Sequence, residues 1–124
     1  MHADLNALTE KIIGAAYKIA NSLGRGFVEK VYENSLVLEL SKLGFKVVQQ
    51  ERLCVYYDGL LVGEFFADII VNQIVLLEIK AVTSLSENHE AQCLNYLKAS
   101  RLKLGLLLNF GSPSVQIKRL VNRL

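Results

Sequence analysis

The sequence predicts one α/β (α+β) domain over residues 1–124, built on a mixed four- to five-stranded sheet flanked by helices. Three observations lead to this class. Residues 5–43 carry apolar side chains at helical spacing, and the residues after them change to the two-residue period of strands. A later helical segment separates two further apolar runs. The predicted order is therefore ααβββαβ, followed by a tail.

Composition narrows the class of protein. Of the 124 residues, 52% are hydrophobic and 21% charged, which excludes intrinsic disorder and allows a core without disulfides. Cys54 and Cys93 form neither a disulfide framework nor a zinc-ligand pattern. The N-terminus carries no recognisable secretory signal, so we expect a cytoplasmic protein.

The most apolar stretch, residues 60–82, raises the question of a membrane span. Asp68, Glu78 and Lys80 are among the polar residues that interrupt it. Each central charge in a spanning helix costs about 2.5–3.5 kcal/mol, so two buried strands around a turn are the better prediction. We expect no membrane partner, and the excess apolar content leaves room for a homodimer.

Two helices are predicted at the start of the chain. Apolar side chains recur at helical spacing over residues 5–23, and Gly24 stands where a left-handed C-terminal residue is wanted. The same pattern covers residues 27–43 and is followed by Gly44. The two glycines predict where these helices end.

Three strands follow the helices. Residues 45–57 are rich in Val and Tyr and lead into Asp58-Gly59, a strong hairpin signal, so residues 60–71 form the return strand. Residues 74–82 are apolar on both faces, as expected of a central strand covered by helices on both sides.

The last part of the chain contributes a third helix and at least one more strand. Ser84-x-x-Glu87 has the spacing of a capping box and predicts a helix that runs to about Ser100. Residues 104–110 form another apolar strand. Residues 115–124 fit either a last strand or a short helix.

Two carboxylates occupy matching positions in adjacent apolar strands. A three-residue connection would place Asp68 directly opposite Glu78 and on the same face, whereas a two-residue turn would send them to opposite faces. The hydrophobic pattern, with Ile70 opposite Leu76, favours the first register. Converging carboxylates repel each other, and a hard cation such as Mg²⁺ relieves the repulsion.

Lys80 follows Glu78 by two residues and projects from the same face of the strand. Burying both charges is costly unless they pair with each other or bind a ligand. From these two residues alone, an ion pair at the fraying end of a strand is an equally good interpretation.

The spacing Asp68-x₉-Glu78-x-Lys80 on adjacent strands resembles the active-site signature of the PD-(D/E)xK nuclease superfamily. Ala67 stands where the proline that names the signature would be. The resemblance implies a PD-(D/E)xK nuclease-like sheet that carries these residues at its centre.

Other segments resemble the GxxExxY proteins, a small family placed in that superfamily. The matches are Gly26-x-x-Glu29-x-x-Tyr32-Glu33, the HEAQ segment His89-Glu90-Ala91-Gln92, and residues 105–111 as the closing strand. Gln92-x₃-Tyr96 also resembles the QxxxY motif of the superfamily's exonuclease-like branch. Taken together, the resemblance extends over residues 8–119.

This resemblance implies a metal-dependent nuclease that hydrolyses phosphodiester bonds, with DNA preferred over RNA. Asp68 and Glu78 would bind Mg²⁺ or Mn²⁺, and the backbone carbonyl of Ile79 is a candidate third ligand. Lys80 would orient or help to deprotonate the attacking water. Glu33 is the preferred helical residue for completing the metal site, directly or through water.

The other matched residues have both a functional and a structural interpretation. Glu29, nearer the preceding turn, could hold a helix terminus or contact substrate, and Tyr32 is expected in the core. Gln92 and Tyr96 are one helical turn apart and would position the phosphate. His89 could contact the scissile phosphate, although a lone histidine is more often structural.

The rival hypothesis is a non-catalytic nucleic-acid- or protein-binding module that retains the nuclease fold. The complete signature favours activity, whereas the small size and a net charge of only +2 favour a module that relies on a second chain for grip. A small-molecule enzyme has no support, because the sequence contains neither GxGxxG nor GxxxxGK[ST].

Overall fold

A computed structural model describes residues 2–123, which form three helices and a five-stranded mixed sheet. The elements are α1 (His2–Leu23), α2 (Glu29–Lys42), β1 (Val47–Tyr57), β2 (Leu60–Val71), β3 (Val75–Lys80), α3 (Glu87–Ser100), β4 (Leu104–Asn109) and β5 (Gln116–Val121). The predicted α/β (α+β) class and the order ααβββαβ are confirmed, and the undecided tail is a strand. Met1 and Leu124, the ends of the predicted domain, lie outside the described residues.

The five strands lie in chain order across the sheet, β1-β2-β3-β4-β5. All neighbours are antiparallel except β3 and β4, which are parallel and joined by the crossover helix α3. The central position of these two strands explains why both are apolar on both faces. No helix among residues 2–123 is long and apolar enough to cross a membrane.

Helices cover both faces of the sheet and create two cores. The larger core joins α1 and α2 to one face, and the smaller joins α3 to the other. Burying a Leu or Ile side chain stabilises the fold by about 1.5–3 kcal/mol, so the larger core contributes more. Its fully buried members include Ile12, Tyr32, Leu36, Leu40, Leu77, Ile79, Leu106 and Leu108, whereas Leu53, Ala67, Ile70, Leu76, Cys93 and Leu97 form the smaller one.

The connection between β2 and β3 sets the register of the later site. Asn72 and Gln73 adopt left-handed conformations, with φ of 54° and 56°, and residues 72–74 link the two strands. Ile70 consequently lies opposite Leu76, so the predicted register is confirmed.

The predicted capping box of α3 is wrong by two residues. Ser86, not Ser84, is the N-cap, and the imidazole of His89 accepts its backbone N–H at 3.0 Å. The physical reason is tertiary, because the N–H of Leu85 donates to the side-chain oxygen of Gln116 on β5. This bond holds the chain in an extended approach to the helix, and α3 begins only at Glu87.

A buried asparagine joins the end of β4 to the loop after β3. Asn109 Oδ1 accepts the N–H groups of Val82 (2.9 Å) and Gly111 (3.0 Å), and Asn109 Nδ2 donates to Val82 O and to Gln116. Gly111 therefore packs directly against the Val82 peptide. A Cβ atom on Gly111 would collide with the backbone N and O of Val82.

Gly111→Ala is expected to destabilise the protein by at least about 1–3 kcal/mol, because the colliding atoms are backbone and the loop is fixed by Asn109. Gly14→Ala is the matched control. Gly14 lies exposed within α1 with nothing within 4 Å of an added Cβ, so this change should stabilise by up to about 1 kcal/mol. Urea unfolding measures both, and equal stabilities for the Gly111 variant and wild type would contradict this packing.

Candidate active site

The two predicted carboxylates meet where β2 and β3 stop pairing. The last paired residues are Ile69 and Leu77, and Asp68 and Glu78 occupy the next positions. The backbone N–H of Asp68 donates to Glu78 Oε2 at 2.9 Å, and the N–H of Ile79 donates to Asp68 Oδ2 at 2.8 Å. Each carboxylate thus replaces a bond of the strand ladder and accepts a backbone donor from the opposite strand.

Burial and mutual repulsion disfavour the charged forms of both acids. Glu78 is only 4% exposed, and burial, followed by the negative charge of Asp68, raises its pKa to about 8. Burial also raises the pKa of Asp68, against the opposing effect of the Ile79 N–H. Such a cost is typical of a functional site, where a ligand compensates it.

Lys80 lies near both carboxylates but is held by a neutral partner. Its Nζ donates to Gln92 Oε1 on α3 at 3.0 Å. Among residues 2–123, no carboxylate lies within 4.0 Å of this ammonium group, so an ion pair at the strand end is not what the structure contains. The positive charge is placed beside Asp68 and Glu78 without being neutralised by contact with either.

Tyr96 follows Gln92 by one turn of α3 and extends the site along the helix. Its ring lies 5.4 Å from that of Phe65 on β2. Burial, and then the charges of Glu78 and Asp68, raise the pKa of the Tyr96 hydroxyl, so this side chain lies close to the acidic pair.

Neither cysteine provides a nucleophile at this site. Cys93, next to Gln92, is 1% exposed, and burial raises the pKa of its thiol to about 12. A thiol with so high a pKa stays protonated at neutral pH, and the protonated form is a poor nucleophile.

Glu33 approaches the acidic pair from α2 through an intermediary. Its buried carboxylate accepts hydrogen bonds from Lys30 (3.1 Å), Gln49 (2.6 Å) and Gln50 (2.9 Å). Gln50 Nε2 also lies 3.3 Å from Asp68 Oδ1, so one amide connects the two carboxylates. Sequence reasoning missed this glutamine; the available signal was a pair of amides in a strand, near the position opposite Asp68.

Two weaker sequence candidates lie at helix ends. Glu29 is the exposed first residue of α2, where a negative charge favours the helix dipole. His89 is part of the cap of α3. Tyr32 is buried, as expected, and its hydroxyl donates to the Gly24 carbonyl and accepts the Phe27 N–H. The tyrosine therefore shapes the loop between α1 and α2.

The donor set suits a divalent cation with few protein ligands. Asp68 and Glu78 offer hard oxygen donors and an excess of negative charge at a buried position. Within residues 2–123, no three His, Cys, Asp or Glu side chains form a group that could hold a metal ion. The set is therefore two carboxylates and, as a candidate, the Ile79 carbonyl, which matches Mg²⁺ because this ion keeps several waters.

The stability of the metal-free protein is expected to fall as pH rises from about 4.5 to about 8. Glu78 has an ordinary pKa of 4.5 and a folded pKa of about 8, so the folded state holds this proton more tightly than the unfolded chain. The resulting stabilisation is complete below the lower value and is lost as pH rises through the upper one. Asp68, whose pKa is also raised, acts in the same direction.

Urea unfolding in EDTA across this pH range measures the effect, on the order of a few kcal/mol since one pKa unit corresponds to about 1.4 kcal/mol. Glu78→Gln should flatten the dependence. Parallel curves for wild type and variant would show that Glu78 does not titrate in this way.

Comparisons with known proteins agree with this geometry. No curated protein matches the chain. The crystal structure of SSO0001 has a similar fold, with a TM-score of 0.59 and 17% identity over 77% of this chain, which itself spans 51% of that protein. A profile of the PD-(D/E)XK nuclease superfamily matches residues 6–120. Nearly the whole sequence, including the carboxylate pair and Lys80, lies within that match, and the chain belongs to the PD-(D/E)XK nuclease superfamily.

Proposed function

We propose that this protein is a metal-dependent nuclease that hydrolyses phosphodiester bonds, DNA in preference to RNA, with Mg²⁺ or Mn²⁺ as cofactor. One observation carries the proposal: Asp68 and Glu78 lie side by side at a buried position, with Lys80 beside them and not ion-paired to either. The superfamily implies a nucleic acid as substrate and typically uses divalent metals. Membership of the GxxExxY family and a cytoplasmic location are part of the proposal.

The metal would be held by Asp68, Glu78 and the backbone carbonyl of Ile79. A divalent cation bound there lowers the pKa of a water molecule and offsets negative charge on the scissile phosphate. Glu33 would support the site through Gln50, which bonds to both Glu33 and Asp68. This glutamine fixes the rotamer of Asp68, so the site is preorganised before substrate binds.

Lys80 and Gln92 would act on the phosphate and on the attacking water. Because Gln92 Oε1 accepts from Lys80, the amide N–H₂ of Gln92 is directed away and is available to a phosphate oxygen. The ammonium group of Lys80 keeps two further protons with which to orient the water and stabilise developing negative charge. The Tyr96 hydroxyl, one turn along α3, would contact the substrate beside the scissile bond.

Incubation of the purified protein with labelled single-stranded and duplex DNA and RNA, in Mg²⁺, Mn²⁺ or EDTA, tests the proposal. We expect cleavage that requires metal and that Asp68→Asn abolishes. Tight binding of nucleic acid without cleavage under any metal condition would establish the rival, a non-catalytic module.

A further inference from the structure

A second feature lies beside the candidate active site, between α3 and the β1–β2 hairpin. It is an open cleft of about 710 Å³. Aromatic side chains of the hairpin, Tyr56 and Phe65, line one side, and Asn95, Lys98 and Arg101 of α3 and its C-cap line the other. The cleft therefore combines aromatic faces with positive charge.

We propose that this cleft binds the single-stranded segment of nucleic acid that leads to the scissile phosphate. The inference rests on the proposed nuclease function and names the form of its substrate. Bases stack on Tyr56 and Phe65, and the backbone phosphates pair with Lys98 and Arg101. Stacking on aromatic rings with phosphates in a basic groove is the general chemistry of single-strand binding.

The cleft is continuous with the carboxylate site. Lys80 contacts Gln92, Tyr96 follows one turn later, and the Tyr96 ring lies 5.4 Å from Phe65 at the border of the cleft. Six residues of α3 separate Gln92 from Lys98, a distance of about 9 Å at ~1.5 Å per residue. At roughly 3.4 Å per stacked nucleotide, this path holds about three nucleotides.

The two cations of the cleft are available to phosphates. Lys98 and Arg101 are exposed, and neither belongs to an ion pair in the part of the chain that the structure describes. Lys118, by contrast, lies 3.8 Å from Glu90. Arg101 also has a φ of 64°, at a helix end where glycine is least strained, so a long basic side chain there is not required by the fold.

Exposure of the aromatic rings favours a single strand over a duplex. Tyr56 is 63% and Phe65 41% exposed, and both present apolar surface to solvent. The bases of a duplex are already stacked on one another, so their faces cannot reach these rings, whereas an unpaired strand offers every face.

The test is a fluorescence-anisotropy titration in EDTA, where the metal-dependent cleavage proposed above does not occur. The probes are labelled oligothymidine, oligouridine and a duplex of the same length, and tighter binding of either single strand than of the duplex is expected. Tyr56→Ala should weaken single-strand binding at least about fivefold, since the loss of one base stack corresponds to ~1–3 kcal/mol. Tyr57→Ala, at a 71% exposed neighbour outside the cleft lining, is the matched control and should change little.

A double substitution tests the cations separately. Lys98→Gln with Arg101→Gln should lower the slope of log affinity against log salt by about 1.4, or about 0.7 for each lost phosphate contact to a single strand. Lys103→Gln, an exposed lysine outside the cleft lining, should leave the slope unchanged. The exposed positions of all these side chains leave both cores intact.

Two results would overturn the inference. One is preferential binding of the duplex, or cleft variants that bind like their controls; metal-dependent cleavage by the same protein would then leave the nuclease proposal standing. The other is a homodimer, measured by sedimentation, that Tyr56→Ala dissociates without loss of single-strand affinity. Conversely, cleft-dependent binding of a single strand by a protein that never cleaves supports the cleft and overturns the nuclease proposal.

Discussion

Lys80→Ala is expected to lower metal-dependent cleavage at least about a thousandfold while metal binding persists. Proton transfer and electrostatic stabilisation of this kind each contribute roughly 10²–10⁴-fold, and Lys80 is placed to supply both. Its Nζ contacts Gln92 and no carboxylate within 4.0 Å among residues 2–123, so its loss breaks no ion pair there. Single-turnover kinetics measure the rate, and thermal melting with Mn²⁺ reports metal binding.

Gln92→Ala and Lys103→Ala are the controls for this prediction. Gln92→Ala removes the partner that positions the ammonium group but keeps the charge, so we expect a smaller loss, about tenfold. Lys103 is an exposed lysine and its substitution should not change the rate. If Lys80→Ala cleaves at the wild-type rate, or fails to fold, Lys80 has a structural role and our assignment is wrong.

Asp68→Asn is expected to leave the metal-free protein as stable as wild type or slightly more stable, and to remove both cleavage and stabilisation by metal. Asparagine keeps an oxygen that can accept the Ile79 N–H, while the repulsion between Asp68 and Glu78 is relieved. A ligand that binds only the folded state adds about 2.7 kcal/mol at a hundredfold excess over its Kd, and this increment should vanish.

Asp58→Asn provides the matched control, because it makes the same chemical change at an exposed turn between β1 and β2. Calorimetry with and without Mn²⁺ compares the three proteins. If Asp68→Asn destabilised the metal-free protein and metal shifted no melting curve, the carboxylates would belong to a structural network.

The sequence was sufficient for the register that creates the site. The two-residue period of a strand allows only one of two alignments, and the placement of Ile70 opposite Leu76 chose the one in which Asp68 follows opposite Glu78. The helices were equally predictable, because their apolar spacing and terminal glycines are local signals.

Contacts between distant elements were not predictable in the same way. Gln50 adopts a φ of 56° and bonds to residues on α2 and β2, which no local pattern encodes. The start of α3 was placed wrongly because Ser84 and Ser86 offer similar capping signals, and the bond from Leu85 to Gln116 decides between them. The tail became a strand because β4 presents an edge with which it pairs.

A titration of Mn²⁺ followed by electron paramagnetic resonance tests the central claim most directly, because the signal of free Mn²⁺ decreases as the ion binds. Our account predicts one site per chain in the wild-type protein, competition by Mg²⁺, and loss of the site in Asp68→Asn but not in Asp58→Asn. A wild-type protein that leaves the Mn²⁺ signal unchanged, or an Asp68→Asn variant that binds as wild type does, would contradict the assignment of Asp68 and Glu78 as a metal site.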